Sequence, residues 1–239
     1  MASVDLSRRS TAPELMDALP VDLGTLEACL RDLERINRWT RSYALTLRWL
    51  DRVLAQHGSR RLLLVDVGCG YGDMLRRIAA WGQRRGVRLD LVGIDRNHHA
   101  AIAAARATPP GAPIRYLSAD VFDLADEPRP DLVISALFAH HLDDQQLIRF
   151  LRWMESRARL GWLINDLHRH VLAYRVARRA PELLRMSPLV RHDAAISVAR
   201  AFERRDWQFF LHQAELGEPA PTVTWHFPFR YAVSRIKAS

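Results

Sequence analysis

The chain lacks the features that mark disulfide-rich, membrane-spanning and secreted proteins. Its two cysteines, Cys29 and Cys69, cannot form a disulfide framework. No apolar run approaches the roughly 18 residues that a membrane span needs. Met1–Ser10 carries charges but no apolar stretch of the kind found in secretory signals. These absences predict a globular protein of the reducing cytoplasm.

Lysine is almost absent, since Lys237 is the only one and arginine carries nearly all of the positive charge. The 239 residues include 35 Lys and Arg against 27 Asp and Glu, which gives a net charge of +8. A basic surface is compatible with nucleic-acid binding. The arginines are scattered in pairs rather than gathered in one block, and their excess over lysine is typical of GC-rich coding. Nucleic acid is therefore a disfavoured partner.

Short apolar runs alternate with helical patterns from about residue 59 onward. Five strands are predicted at 62–67, 89–94, 114–117, 131–136 and 161–166. Such alternation indicates a parallel sheet covered by helices on both faces, and right-handed crossovers make the sheet doubly wound. The runs 223–227 and 230–235 predict an antiparallel hairpin at one edge of the sheet.

The flanking segments predict a helical cap and an insertion. Residues 1–23 resemble a loose leader, and the apolar spacing over residues 24–56 predicts helix. We therefore expect an N-terminal helical cap at 1–58 and a main domain at 59–239. The segment 167–199 is too long for a simple connection, and it is predicted to be an insertion after the fifth strand that lines a substrate pocket. Residues 198–216 are predicted to be helical.

The strongest local motif is Asp66-Val67-Gly68-Cys69-Gly70-Tyr71-Gly72-Asp73, which follows a predicted strand and opens a predicted helix. Its glycines allow a tight turn and close approach of a ligand to the backbone, and the helix N-terminus offers free N–H groups. The spacing differs from the G-x-G-x-x-G fingerprint of dinucleotide-binding proteins. Asp66 would repel a pyrophosphate but could meet the ammonium group of a ligand, which disfavours a nicotinamide oxidoreductase.

This motif resembles motif I of the class I S-adenosylmethionine-dependent methyltransferases. Further positions match that family in order: Asp95 ends the second strand, Asp120-Val121 follows the third, and 131–136 corresponds to the fourth-strand motif. Open α/β sheets bind ligands at the carboxyl ends of their strands. Asp66, Asp95 and Asp120 are predicted to lie at three such ends. The resemblance covers residues 60–166 closely. It implies a Rossmann-like, mostly parallel, seven-stranded sheet whose last strand is reversed.

The resemblance also implies S-adenosyl-L-methionine as the cofactor and suggests the residues that bind it. For the methionyl part these are Asp66, Gly68, Gly70, Gly72 and Ala136; for the ribose, Asp95; and for the adenine, Asp120 and the N–H of Val121. Arg96, which follows Asp95, is also predicted to contact the cofactor.

Stretches at 37–39, 139–142, 165–169 and 187–193 resemble a bacterial subgroup of these enzymes associated with polyketide or phenolic-lipid pathways. The subgroup implies a small aromatic acceptor. Methylation of a phenolic hydroxyl is the first expectation, and carbon methylation of a quinone-like ring is the second. An RNA methyltransferase is disfavoured because the amino-methylating Asn/Asp-Pro-Pro-aromatic motif is missing after the fourth strand. A non-catalytic relative that binds the cofactor stays open.

A phenol, with a pKa of about 10, reacts better when a base or a cation assists it, and histidine is the natural base near neutral pH. The candidates are His140 and His141 after the fourth strand, His168 after the fifth, and His192 in the insertion, of which His141, His168 and His192 are preferred. The sequence leaves the choice among them open.

Four residues are predicted to contact the acceptor: Trp39, Phe138, Tyr174 and Arg191. No metal site is expected, because the fourth strand lacks the acid that catechol-type enzymes place after it. Asn165-Asp166 also has the reverse of their Asp-Asn order, and this pair is interpreted as polar lining. The oligomeric state is expected to be a monomer or a homodimer.

Overall fold

The computed structural model describes residues 5–18, 21–58, 61–124 and 129–238. Its α-helices are α1 (Leu15–Ala18), α2 (Leu23–Trp39), α3 (Ser42–His57), α4 (Asp73–Arg85), α5 (His98–Ala107), α6 (Asp144–Arg157), α7 (Val171–Leu183), α8 (Pro188–Arg200) and α9 (Arg204–Ala214). Its strands are β1 (Arg61–Val67), β2 (Arg88–Asp95), β3 (Ile114–Ser118), β4 (Leu132–Ala136), β5 (Gly161–Leu167), β6 (Thr222–His226) and β7 (Arg230–Ile236). Within these ranges no helix has the length and apolar character of a membrane span.

The seven strands form one sheet in the order β3-β2-β1-β4-β5-β7-β6. The pairs among β1 to β5 are parallel, and Asp66 of β1 lies between Gly93 of β2 and Ile134 of β4. β7 runs antiparallel to both β5 and β6. The predicted doubly wound, mostly parallel sheet is therefore confirmed. The carboxyl ends of its five parallel strands meet at one edge, which we call the carboxyl edge.

Each face of the sheet is covered by its own apolar layer. On one face, α3 and α4 bury Trp49 and Ile78 against the strands. On the other, α6 and α9 bury Phe150 and Trp207 in the same way. The strands between two such layers consist of nearly continuous apolar residues, as expected for parallel strands buried on both faces.

The predicted single helical run over 24–56 is two helices. Arg41, between α2 and α3, adopts a left-handed backbone conformation with φ of 53°, and the chain changes direction there. α3 then packs on the sheet, whereas α2 packs Leu26 and Leu30 against Tyr71 in the loop after β1. The division into 1–58 and 59–239 stays a prediction, and residues 59–60 lie outside the described ranges.

The expectation of a loose leader is wrong for residues 9–17. Arg9 donates to the carbonyl oxygens of Leu142 and Arg200 at 3.0 Å each. α1 is attached to α8, because the carboxylate of Asp193 accepts from the backbone N–H of Leu15 and Met16 at 2.9 and 3.1 Å. These partners are more than 130 positions away along the chain, so no local pattern reveals them.

The segment 167–199 contains α7 and most of α8, which pack against each other. The helix predicted over 198–216 is instead the end of α8 followed by α9. The chain between them is non-helical at 201–203, where Phe202 is fully buried. The Phe202 ring is buried in the apolar layer beneath α9, and the helix is interrupted at the residues that bury this ring.

Glu155 on α6 generates a prediction about stability. Its carboxylate accepts from Trp162 Nε1 at 2.8 Å and lies 3.1 Å from Arg235 and 3.0 Å from Lys237. Burial would raise the pKa of Glu155, but the hydrogen bonds from these three side chains lower it below its ordinary value. The ionised form therefore stabilises the fold at neutral pH, and this contribution is lost as the pH falls through the folded-state pKa.

We expect Glu155→Gln to lower the free energy of unfolding by about 1 kcal/mol at pH 7, given charge-assisted hydrogen bonds and solvent screening. As the pH falls toward 3 the wild type progressively loses the same charge, so the difference should shrink. Urea unfolding at both pH values measures this, with the exposed Glu215→Gln as a control. An equal loss at both pH values would contradict the ionic role of Glu155.

Candidate active site

The loop of residues 68–72, which we call the glycine loop, connects β1 to α4 at the carboxyl edge. Gly68, Gly70 and Gly72 have φ of 70°, 50° and 70°, in the left-handed region that glycine adopts readily. The N–H of Gly68 donates to the carbonyl oxygen of Ile94 at 2.9 Å, which attaches the loop to β2. A Cβ on Gly68 would lie 2.6 Å from the Phe138 ring, so this position requires glycine for space as well.

Asp66 lies near the end of β1 and is 2% exposed. Its Oδ1 is buried and has no hydrogen-bond partner in the described ranges. Burial, together with the charges of Asp73 and Asp95, raises the pKa of Asp66 well above its ordinary value. A buried carboxylate without a partner is unfavourable, and a cationic ligand would relieve this. The position therefore fits the ammonium group of S-adenosylmethionine.

Asp95 ends β2 and holds the glycine loop from the other side. Its two oxygens accept from the N–H of Gly70 and of Asn97, at 2.9 Å each. Burial is the main reason that the pKa of Asp95 is raised. Each carboxylate oxygen can accept a second hydrogen bond. The side chain therefore keeps acceptor capacity for hydroxyl donors such as those of a ribose.

Asp120 follows β3 and begins a short 3₁₀ helix, where its carboxylate accepts from the N–H of Phe122 at 3.0 Å. Val121 beside it is buried, whereas Arg96, which follows β2, is exposed. Because β3, β2 and β1 are neighbours in the sheet, Asp120 lies in line with the acids of the other two strands. The fold thus brings the predicted ribose, adenine and methionyl residues to one edge.

The chain after β4 contains an unusual backbone conformation. Leu137, directly after Ala136, has φ of 58°, which for a residue with a Cβ is unfavourable by about 1–2 kcal/mol. Such outliers concentrate at functional sites. The N–H of Leu137 donates to the carbonyl oxygen of Asn165 at 2.9 Å. This turn places the Phe138 ring on Gly68, with an edge-on contact to Phe150 at 5.4 Å between centroids.

Two adjacent histidines follow, within a group of five residues that we call the histidine cluster: Glu14, Asp17, His140, His141 and Asp166. His140 Nδ1 lies 2.7 Å from Oδ1 of Asp166, and both side chains are buried. His141 Nδ1 is hydrogen-bonded to Asp17. The carboxylate of Glu14 lies between the rings, 3.7 Å from His140 Nε2 and 4.0 Å from His141 Nε2.

The charges of the cluster act on one another. Burial would lower the pKa of His141, but the hydrogen bond to Asp17 and the charges of Glu14 and Asp17 raise it overall. Burial would likewise raise the pKa of Asp166, but the charge and hydrogen bond of His140 lower it. His141 is therefore held beside carboxylates that favour its protonated form.

The other two histidine candidates lie outside this cluster. His168 Nδ1 accepts from Trp225 Nε1 at 3.1 Å, and burial lowers the pKa of His168. His192 is exposed on α8, where its Nδ1 pairs with Asp193 at 2.7 Å. Of the candidates, the structure places His140 and His141 in the cluster, although which group takes a proton stays a prediction.

The residues predicted to contact the acceptor are spread over the molecule. Phe138 lies on the glycine loop. Trp39, at the end of α2, is 55% exposed, and Arg191 on α8 is exposed. Tyr174 on α7 is half-buried. Phe138 is thus the member of this set that is directly joined to the predicted cofactor site.

Sequence reasoning missed Glu14 and Asp17, because they lie in the segment predicted to be a loose leader. Their spacing of three residues, one helical turn, was the available signal.

A second group of polar side chains lies around Asp73 at the start of α4. The Tyr43 hydroxyl donates to Asp73 at 2.6 Å, and Asn37 Nδ2 donates to the same carboxylate at 3.2 Å. Burial lowers the pKa of nearby Arg230 to about 10. Oδ1 of Asn37 and Nη1 of Arg230 are buried without a hydrogen-bond partner in the described chain. These atoms are further candidates for ligand contact.

The fold and the site together define the architecture of a class I methyltransferase. Residues 64–161 match the family model described as "Methyltransferase domain", so this part of the chain is a methyltransferase domain. No curated protein matches the chain at a significant level.

Solved structures share the fold over most of the chain at low identity. A plantazolicin methyltransferase, in complex with SAH and a triazolic desmethylPZN analog, is 12% identical with a TM-score of 0.68; the match covers 91% of this chain and 98% of that one. The magnesium protoporphyrin IX methyltransferase of Synechocystis PCC 6803, with bound SAM, is 13% identical with a TM-score of 0.54, over 83% of this chain and 79% of that one. These likenesses confirm the predicted fold, the domain match confirms a methyltransferase domain over residues 64–161, and the two named structures contain SAM or SAH.

Asp95 generates a binding prediction. We expect Asp95→Ala to weaken binding of S-adenosylhomocysteine at least tenfold, because it removes an acceptor for the ribose and releases the N–H of Gly70. Isothermal titration calorimetry measures the affinity. Asp90→Ala on the same strand, where the side chain is exposed and paired with Arg61, serves as the control. Unchanged affinity in the Asp95 variant would remove the ribose assignment.

Alanine substitutions at Gly68 and Gly86 separate the effect of steric crowding on stability from the effect of backbone strain. Gly68→Ala should destabilise the protein by about 2–4 kcal/mol, because the new methyl combines a positive φ with a clash against Phe138. Gly86 has φ of 66° but open space around it, so Gly86→Ala should cost only about 1 kcal/mol. Thermal unfolding of the two variants makes the comparison. Equal losses would mean that the Phe138 ring moves away freely.

Proposed function

We propose that the protein transfers the methyl group of S-adenosylmethionine to the hydroxyl of a small aromatic acceptor, such as a phenolic polyketide-like or quinone-like compound. The observation that carries this proposal is the position of the histidine cluster. His140 comes two residues after Phe138, whose ring rests on the glycine loop. This proximity supports a position for proton-accepting groups beside the predicted methyl donor.

The cofactor supplies an electrophilic methyl group on a sulfonium centre, so the chain mainly has to position the acceptor and ionise it. Orientation alone accelerates such in-line transfers strongly. A phenol becomes a good nucleophile when its proton leaves. The histidine cluster can withdraw that proton, because Asp166 and Asp17 orient the rings and stabilise added positive charge. His141, partly exposed, is our candidate for the residue that faces the acceptor.

The use of arginine supports a small acceptor over a nucleic acid. Buried Arg169 pairs with Asp206 at 2.8 Å, and Arg235 lies 3.1 Å from Glu155. Arg9 and Arg200 donate to backbone carbonyl oxygens around His141. Much of the positive charge thus serves internal contacts. The similar solved structures are named for plantazolicin and for magnesium protoporphyrin IX, and neither is a nucleic acid.

The test is methyl transfer from S-adenosylmethionine to a panel of phenols and quinols. Mass spectrometry detects the added methyl group, and NMR distinguishes a methoxy product from a ring-methylated one. A methoxy product supports the proposal, whereas ring methylation favours the quinone-like alternative. Cofactor binding without any methylated phenol or quinol would remove the aromatic acceptor.

His141 generates a kinetic prediction. We expect His141→Ala to lower kcat about 100-fold or more, as for loss of a group that assists proton removal, with little change in affinity for S-adenosylmethionine. The exposed His212 on α9 is the matched control, and His212→Ala should keep the wild-type kcat. A His141 variant as active as this control would exclude the cluster from the chemistry.

A further inference from the structure

The histidine cluster has the donor set of a metal site. We propose that Glu14, His140 and His141 bind one divalent transition-metal ion through a Glu14 carboxylate oxygen and the two Nε2 atoms. These three ligand atoms lie within 4.8 Å of one another. Two imidazoles and one carboxylate are the protein ligands of several zinc and non-haem iron sites, in which further positions stay open. This site differs from the catechol-type arrangement considered above, since it uses no acid after β4 and takes Glu14 from the N-terminal segment.

Glu14 provides an independent indication of a missing ligand. The residue is 1% exposed, and its Oε2 accepts from Ser197 at 2.9 Å. Its Oε1 is buried without a hydrogen-bond partner among the described residues. A buried carboxylate oxygen in this state is unfavourable unless a cation or donor joins it. The nearest ring nitrogen, Nε2 of His140, is 3.7 Å away, too far for a hydrogen bond.

The residues around the ligands have the arrangement that metal-binding histidines usually show. Nδ1 of His140 is bound by Asp166 and Nδ1 of His141 by Asp17. A carboxylate on one ring nitrogen fixes the tautomer and leaves the other nitrogen free to bind a metal. Both rings therefore present Nε2 toward the Glu14 carboxylate.

The three ligands must move closer together to hold one ion. Two ligands at ~2.1 Å from a tetrahedral zinc are ~3.4 Å apart, whereas Nε2 of His140 lies 3.7 Å from Oε1 of Glu14 and Nε2 of His141 lies 4.0 Å from Oε2. Because the ligand atoms all lie within 4.8 Å of one another, side-chain movement is sufficient and no change of fold is needed.

The side chains around the site include more carboxylates than arginines, which favours binding of a cation. Arg200 Nε lies 3.9 Å from Glu14 Oε1, which opposes metal binding. Its donors are directed, however, to the carbonyl oxygens of His140, His141 and Ala12. Arg9 is the other nearby cation, and it pairs with Asp144. The carboxylates of Asp17 and Asp166 add to that of Glu14, so three acids face two arginines.

An open cleft of about 870 Å³ adjoins the cluster at His141 and is also lined by Arg9, Asp144 and Arg200. The partly exposed ring of His141 forms part of its wall, whereas Glu14 and His140 are buried behind it. We therefore expect an ion to enter the site past His141.

The role of the ion, but not its binding, rests on the proposed function. An acceptor hydroxyl that binds the ion has a lowered pKa and releases its proton to a neighbouring carboxylate or to water. The resulting oxyanion attacks the sulfonium methyl, the carbon–sulfur bond breaks, and sulfur keeps the electron pair. His141 then acts by holding the ion rather than by taking the proton itself.

The first test is calorimetric titration of chelator-treated, ligand-free protein with Zn²⁺, and Co²⁺ absorption spectra report the geometry. We expect one ion per chain. Glu14→Gln, which keeps the size of the side chain, and His141→Ala should each weaken Zn²⁺ binding at least tenfold. Asp166→Asn should weaken it by about 10–100-fold, as for loss of an orienting carboxylate. His212→Ala should bind as the wild type does. Thermal unfolding verifies that each variant is folded.

The outcomes separate this inference from the proposed function. Zinc affinity that is absent in the wild type, or unchanged in Glu14→Gln and His141→Ala, overturns the metal site. Methylation of a phenol that persists at full rate after chelation and dialysis overturns the role of the ion and leaves the proposed function intact. One tightly bound zinc with no methylated phenol or quinol supports the metal site and counts against the proposed acceptor.

Discussion

Parallel pairing of β1 with β2 on one side and β4 on the other is the constraint on which the rest of the molecule depends. Parallel strands must all end at the same edge of the sheet. Asp66, Asp95 and the residues after β4 therefore lie together, although they are up to 70 positions apart in sequence. The glycine loop is held against this edge by the N–H of Gly68 on the Ile94 carbonyl and the N–H of Gly70 on Asp95. The position of the predicted cofactor site follows from strand topology first and from individual side chains second.

A second constraint comes from the N-terminal segment, which packs over the same edge. Arg9, Glu14 and α1 contact α8 and the turn after β4 through charged and backbone partners. These contacts bury Glu14 beside His140 and complete the histidine cluster. Burial leaves Oε1 of Glu14 without a hydrogen-bond partner among the described residues, with Arg200 and the two histidines around the acid at 3.7–4.0 Å. The half of the site opposite the cofactor loop thus depends on a segment without a strong local pattern.

The elements of the sheet were predictable from sequence because their signals are local. The apolar runs of β1, β2, β4 and β5 and the glycines that follow β1 identify buried parallel strands and the loop between them. The helix break at Arg41 and the non-helical chain around Phe202 were not predictable in the same way. Both occur where a tertiary requirement, the docking of α3 on the sheet or the burial of one ring, overrides a continuous helical pattern.

The sequence alone established the fold class, the glycine loop and the acids that end successive strands, because each of these depends on residues close together along the chain. The folded structure was needed to show that Glu14 and Asp17 join His140, His141 and Asp166. It also placed His168 and His192 elsewhere. Asp17 and His141 are more than 120 positions apart, and a pairing over such a separation produces no periodic pattern in the sequence. Only the packing of α1 against α8 and of β4 against β5 brings these charges within hydrogen-bonding distance.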